Sequence, residues 1–161
     1  MARLLDSYGG ADITTVRIYD TSQNQVVTVE KIEKSDAEWK NLLTKQQYEI
    51  TTRKGTEVPS TCPFDTLHET GIFQCVRCGT DLFRSSTKFE SGTGWPSYYE
   101  PVSTLNIVEQ LDRSHKMIRT EVLCARCSSH LGHVFDDGPP PTSNRYCMNG
   151  IAMKFVPEDR L

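Results

Sequence analysis

The sequence predicts a single α+β domain, mostly antiparallel sheet, with helices near its N-terminus and a structural metal site. Three observations carry that expectation. Capping patterns with helical spacing fall between residues 35 and 55. Beyond them, short alternating apolar–polar stretches are punctuated by Gly, Pro, Ser and Asn. Two Cys-x-x-Cys pairs tie distant parts of that second region together. A chain of 161 residues has room for one domain with its own core and is short for two.

Residues 1–33 read as an N-terminal extension, with the main domain at 34–161. Thr14 to Asp20 and Gln25 to Lys31 alternate around Thr-Ser-Gln-Asn, a hairpin pattern that a disordered tail also matches. Ser35-Asp-Ala-Glu38 forms a capping box, in which the Ser35 hydroxyl and the Glu38 carboxylate each satisfy an orphan amide. Trp39, Leu42 and Leu43 follow at helical spacing. Thr44-Lys-Gln-Gln47 repeats the capping pattern and opens a second helix, expected to stop at Gly55. Strands are expected in Gly71–Val76, Met117–Leu123 and Tyr146–Val156. Asp136-Asp-Gly-Pro-Pro-Pro-Thr-Ser-Asn144 makes a stiff, turn-rich loop before the last of these.

A net charge of −3 with no basic run argues against nucleic acid as a partner. The longest apolar stretches are only a few residues, so no membrane span is expected. The N-terminal residues show no apolar region of signal-peptide length. With that, six cysteines suit a reduced, cytoplasmic setting better than a disulfide framework.

Four of the six cysteines form Cys75-Val-Arg-Cys78 and Cys124-Ala-Arg-Cys127. A two-residue gap lets a knuckle turn aim both sulfurs at one ion, and two knuckles complete a tetrahedral thiolate shell. Soft thiolates favour zinc, with iron as the competitor. Four protein ligands leave no open position, so the zinc is expected to stabilise the fold and to take no part in turnover. A redox-active Cys-x-x-Cys is the rival reading, and neither pair sits in a βαβ context.

Further segments are unusual in composition. Ser91-Gly-Thr-Gly-Trp-Pro-Ser97 sets a Trp in a Gly-rich turn. His130-Leu-Gly-His-Val-Phe135 places two histidines three apart. Gly138-Pro-Pro-Pro-Thr142 leads into Arg145-Tyr-Cys-Met-Asn149, which holds a cysteine outside the metal set. Together with the knuckles, these segments resemble a type B methionine sulfoxide reductase from about Ser35 to the C-terminus. The resemblance implies a zinc-pinned, β-rich "β-tent" fold and thiol-dependent reduction of methionine-R-sulfoxide, with protein- or peptide-bound sulfoxide preferred.

Reducing a sulfoxide takes a nucleophile for sulfur and a proton donor for the departing oxygen. The resemblance assigns the attack to Cys147, which then becomes a sulfenic acid. His130 and His133 become the groups that protonate or polarise the oxygen. Trp95 becomes an aromatic wall for the S-methyl group, Asn149 a further site residue, and Arg145 a charge favouring the thiolate. Without the resemblance, Cys147 is an ordinary buried thiol and Trp95 ordinary core. His68 and His115 lie outside the motifs and are expected at the surface.

Many members of that family carry a recycling cysteine in the Gly-Trp-Pro turn, where this chain has Thr93. With four cysteines on metal and one attacking, Cys62 remains, in the stiff loop Pro59-Ser-Thr-Cys-Pro63. The expected cycle closes through a Cys62–Cys147 disulfide, reduced by thioredoxin or another thiol. The alternative from a different class is a zinc-ribbon-like binding module without catalysis, which explains the knuckles but gives Trp95, the histidines and Cys147 no joint purpose.

Overall fold

A computed structural model describes residues 13–161; residues 1–12 of the expected extension lie outside the described residues. From Thr15 the chain makes a hairpin of β1 (Thr15–Asp20) and β2 (Gln25–Glu30), paired from Thr15–Glu30 to Asp20–Gln25. The hairpin is fastened to the rest of the fold. Ile18 is buried, and the Tyr19 amide donates to the buried Asn106 Oδ1 at 2.8 Å. Asn106 Nδ2 donates back to the Tyr19 carbonyl at 2.9 Å and also to the Asp81 carbonyl at 2.7 Å. The amide and hydroxyl of Thr21 both donate to Asp81 Oδ2, at 3.0 and 2.6 Å.

Both expected helices start at their capping boxes. In α1 (Asp36–Leu42) the Glu38 amide donates to the Ser35 hydroxyl at 3.2 Å, and the Ser35 amide donates to the Glu38 carboxylate at 2.6 Å. In α2 (Lys45–Thr51) Thr44 and Gln47 make the same exchange at 3.2 and 3.0 Å. Each such cap stabilises its helix by about 1 kcal/mol. Helix α2 ends at Thr51, ahead of Gly55, whose amide closes the following turn onto the Glu49 carbonyl at 3.0 Å. Buried Trp39, Tyr48 and Ile50 face the core.

The remaining strands are β3 (Gly71–Cys75), β4 (Asp81–Arg84), β5 (Lys88–Phe89), β6 (Ser97–Tyr98), β7 (Ile107–Asp112), β8 (Arg119–Cys124), β9 (His130–Phe135), β10 (Arg145–Met148) and β11 (Met153–Pro157). They form a three-stranded sheet, β11-β3-β4, and a six-stranded sheet, β5-β6-β10-β9-β8-β7, with antiparallel pairing throughout. The α+β, mostly antiparallel expectation therefore holds.

One expected strand does not. Tyr146–Val156 is divided between the two sheets by a 3₁₀ turn at Gly150–Ala152. The amides of Gly150 and Ile151 donate to the Glu57 carboxylate, so they are withdrawn from any ladder. The Asn149-Gly150 pair was the sequence signal for that break.

Aromatic side chains join the two sheets. Phe83 of β4 stacks on Tyr98 of β6 with ring centroids 4.4 Å apart, and Phe73 of β3 meets Tyr98 edge-on at 5.2 Å. These rings, with Ile72, Leu82, Val122, Leu131 and Met148, are almost fully buried, and each contributes about 2–3 kcal/mol by leaving water. Among the described residues, no helix is long and apolar enough to cross a membrane.

Candidate active site and metal centre

The two Cys-x-x-Cys turns are built alike. The Gly79 amide donates to the Cys75 carbonyl at 2.8 Å and the Ser128 amide to the Cys124 carbonyl at 2.9 Å. Cys75 and Cys124 in turn donate to the Thr80 and Ser129 carbonyls, at 2.8 and 2.9 Å. Gly79 and Ser128 take positive φ, 76° and 60°, to close each knuckle. The turns bring four sulfurs to within 4.8 Å of one another, with Cys75–Cys127 at 3.6 Å and Cys78–Cys124 at 3.5 Å. A tetrahedral ion with metal–sulfur bonds of about 2.3 Å needs sulfur–sulfur edges of about 3.8 Å. The cluster fits a thiolate-bound metal ion. The hairpin reaches this centre, because Arg126, inside the second knuckle, donates through Nε to the Glu30 carbonyl at 3.0 Å and accepts from the Ile32 amide at 2.9 Å.

The remaining motifs converge on the six-stranded sheet. Alternation along β10 buries Tyr146 and Met148 and turns the half-buried Cys147 to the opposite face. Cys147 stands between Ser97 of β6 and His133 of β9. At Gly132 the strands approach so closely that an added Cβ would lie 2.1 Å from the Cys147 carbonyl oxygen. A cavity of about 270 Å³ opens over the Cys147 thiol, and Trp95, His133, Arg145 and Asn149 line it. Thr56, Thr93, Arg119, Gly132, Phe135 and Met148 complete its wall.

Two histidines three apart on a regular strand would face opposite ways. A register shift between Val122 and Leu123 corrects this: Glu121 pairs with His133, yet Leu123 pairs with His130. The irregularity brings the rings to one side, with centroids 5.6 Å apart. His133 lines the cavity, and its Nε2 is 2.8 Å from Asp112 Oδ2. His130 lies deeper, only 2% exposed, with Nδ1 2.8 Å from Glu121 Oε1 and a buried, unpartnered Nε2.

The charges follow from these contacts. Burial pushes the Cys147 thiol above its ordinary value, and the positive Arg145 and a hydrogen bond from Thr93 only partly oppose it. Arg145 is held by a bidentate pair with Asp137, at 2.9 and 3.1 Å, and lies over the Phe135 ring at 4.4 Å. Burial lowers the pKa of His130 despite its Glu121 partner. Burial alone would raise Glu121, but Gln110, His130 and Lys54 together hold its carboxyl low. The His133 hydrogen bond, followed by Ser114, keeps the Asp112 carboxyl well below the usual range.

The expected site residues are thus not all in one place. Cys147, His133, Trp95, Arg145 and Asn149 share a cavity, and His130 sits behind it. Cys62 opens into a separate cavity of about 350 Å³, with Phe64, Ile151 and Met153. Its thiol, raised by burial, takes a 3.4 Å contact from the Phe64 amide. It packs so tightly on Gly150 that a Cβ there would lie 2.0 Å from Sγ. The side chain of His68 is 77% exposed and His115 is also exposed, outside both cavities.

Sequence reasoning missed Glu57, Asp112, Arg119 and Glu121. Arg119-Thr-Glu121 alternates on one strand, which places both charges on one face. Asp112 is Arg119's cross-strand partner, a pairing that no local pattern announces.

Residues 43–157 match the SelR domain. The chain is 49% identical over 131 residues to a peptide methionine sulfoxide reductase MsrB of Hahella chejuensis, an alignment spanning 81% of this chain and 94% of the relative. It is 51% identical over 131 residues to an MsrB of Agrobacterium fabrum, covering 81% and 97%. With an MsrB of Methanosarcina mazei it shares 50% identity over 129 residues, covering 80% and 92%.

Proposed function

This chain belongs to the SelR-domain family of peptide methionine sulfoxide reductases, MsrB, and from that membership we propose that it reduces methionine-R-sulfoxide in peptides and proteins with Cys147 as the attacking thiol. The observation that carries the assignment of residues is the single cavity joining Cys147, His133, Trp95, Arg145 and Asn149. In the net step the methionine S–O bond breaks and an S–O bond forms at Cys147. Thiol plus sulfoxide become sulfenic acid plus thioether, with the thiol proton finishing on the sulfenic oxygen.

His133 is the proton donor for the oxygen in transit. Its Nε2–H is committed to Asp112, so the proton given to the oxygen leaves from Nδ1 of the imidazolium, and the Cys147 thiol proton restores it. The indole of Trp95 receives the S-methyl group, since sulfur–aromatic contact is favourable. Because burial keeps the resting thiol protonated at neutral pH, Arg145 and the approaching sulfoxide are what make the attacking thiolate accessible.

Zinc is the ion that Cys75, Cys78, Cys124 and Cys127 would hold, supplying stability with no open coordination position. We further propose that Cys62 attacks the Cys147 sulfenic acid and that thioredoxin reduces the resulting disulfide. The support is that Cys62 is the remaining thiol and lies against Gly150, three residues beyond Cys147. The segment carrying Cys62 has to leave that seat for the bond to form. Four cysteines gathered for a metal ion and two left for thiol chemistry suit a reducing cytoplasm.

The test is turnover of separated R and S epimers of a methionine-sulfoxide peptide with dithiothreitol, alongside Cys147→Ser. Reduction of R alone, abolished by the substitution, is expected. If a folded, zinc-replete sample reduces neither epimer, the binding-module reading replaces the reductase. One turnover without reductant is expected to leave a Cys62–Cys147 disulfide in mass spectra; its absence would remove Cys62 from the cycle and leave Cys147 to be reduced directly.

A further inference from the structure

Glu57 uses every polar group it has. Its amide donates to Asn149 Oδ1 at 2.9 Å, and its carbonyl accepts from Trp95 Nε1 at 3.0 Å. One carboxylate oxygen accepts from the Gly150 amide at 2.7 Å and the other from the Ile151 amide at 3.0 Å. The residue is 6% exposed, and no lysine or arginine is paired with it among the described ion pairs. Burial raises the carboxyl's pKa, and the two amides oppose that rise. A buried carboxylate without a counter-ion is expensive, so its persistence here points to the backbone segment it holds.

That segment divides the two thiols. Thr56 and Asn149 line the cavity of Cys147, while their neighbours Glu57 and Gly150 line the cavity of Cys62. The wall between the cavities is therefore two short stretches, 56–57 and 149–150, joined through Glu57. On the reductase reading above, we infer that Glu57 is a positioning residue for catalysis. Its carboxylate anchors residue 57 to the Gly150 and Ile151 amides, and the main chain so held carries the bonds to the Trp95 ring and the Asn149 side chain, without touching substrate, and so sets the shape of the methyl-binding wall. Gln cannot replace it. An amide side chain offers one acceptor oxygen and turns an N–H₂ group toward a backbone N–H that needs an acceptor.

The experiment compares Glu57→Gln and Glu57→Asp with wild type, each normalised to folded enzyme by titrating Cys147. The readouts are KM and kcat for an R-sulfoxide peptide, and solvent exchange of the two indole N–H groups by NMR. Glu57→Gln is expected to raise KM about tenfold while kcat changes by less than about threefold, the size of one lost hydrogen-bond contribution. Exchange at Trp95 is expected to quicken about tenfold while that at Trp39, away from the wall, stays as in wild type. Glu57→Asp keeps the charge on a stem one methylene shorter. It is expected to fall between the two, and it carries the same readouts if Glu57→Gln does not fold.

Unchanged KM and unchanged Trp95 exchange in the folded variants would overturn the inference. So would quickening of both indoles together, which marks a general loosening of the fold. If wild type itself fails to reduce sulfoxide, the reductase reading falls, and the indole exchange still decides whether Glu57 holds Trp95.

Discussion

His133 faces Cys147 directly across the β9–β10 ladder, and its Nε2 is fixed 2.8 Å from Asp112 Oδ2. The carboxylate orients the ring beside the Cys147 thiol without belonging to the cavity itself. His133→Gln keeps the ring's approximate size but cannot deliver a proton. Its kcat is expected to fall about 10²- to 10³-fold, while the rate at which iodoacetamide alkylates Cys147 changes little. Asp112→Asn is expected to lose about tenfold in kcat, since the ring survives but its orientation and charge support do not. Equal losses of alkylation and turnover would mean that His133 acts on the thiol and not on the sulfoxide.

Burial holds the Cys147 thiol above its ordinary pKa, and the Arg145 charge works against it. In a Cys62→Ser background, the alkylation rate of Cys147 should therefore rise with pH to a midpoint above the free-thiol value of about 8.5. Arg145→Gln removes the lowering influence and is expected to move that midpoint further up. An unchanged midpoint would show that burial, and not Arg145, sets the thiol's behaviour.

The four-sulfur cluster predicts one tightly held zinc per chain, measurable by atomic absorption. Cys124→Ser breaks the shell at a buried ligand. Structural zinc in small thiolate sites contributes on the order of 10 kcal/mol of folding free energy. The variant is thus expected to lose zinc and its cooperative thermal transition together. A folded, metal-free variant with a normal transition would place the stability elsewhere.

Removing residues 1–31 deletes the partners of Asn106, Asp81 and Arg126. The buried Asn106 loses its bonds to Tyr19, and Ile18 leaves the core edge. Stability to urea is expected to fall by about 2–4 kcal/mol, with kcat/KM unchanged within about twofold because the hairpin lines neither thiol cavity.

Buried His130 has its pKa lowered in the fold, so between its folded value and about 6.5 the unfolded chain binds the proton that the native chain refuses. Stability contributed by neutral His130 is then present above about pH 6.5 and is lost as pH falls below it. One proton gives a slope of at most about 1.4 kcal/mol per pH unit. Urea midpoints from pH 8 to 5 should show this slope in wild type and not in His130→Gln. Glu121 and Asp112, whose pKa values are lowered, lose their contributions only at pH values below about 4, outside that window.

The parts of the molecule legible in the sequence were those with local causes. Ser35–Glu38 and Thr44–Gln47 cap their helices because a capping box is made within four residues. The knuckles announced the metal cluster for the same reason. What stayed hidden depends on partners far apart in the chain. Glu57 meets Gly150 across 93 positions, and the division of Tyr146–Val156 between two sheets follows from that contact. The shared facing of His130 and His133 rests on a register irregularity between β8 and β9 that neither strand's own pattern contains. Cys62 is plain in the sequence as a spare thiol, but its separation from Cys147 by a wall of backbone is a property of the assembled fold.

The alternation of β10, with Tyr146 and Met148 inward and Cys147 outward, limits how this protein can change over evolutionary time. A substitution at one neighbour of the thiol leaves the register of the strand unchanged. A single inserted or deleted residue between Arg145 and Met148 would instead bury the Cys147 thiol and push an aromatic ring into solvent. Lineages that drift in length should therefore do so in the loop at 136–144, before the strand begins. From Arg145 to Asn149, a change of length therefore disturbs more of the site than a change of any one residue.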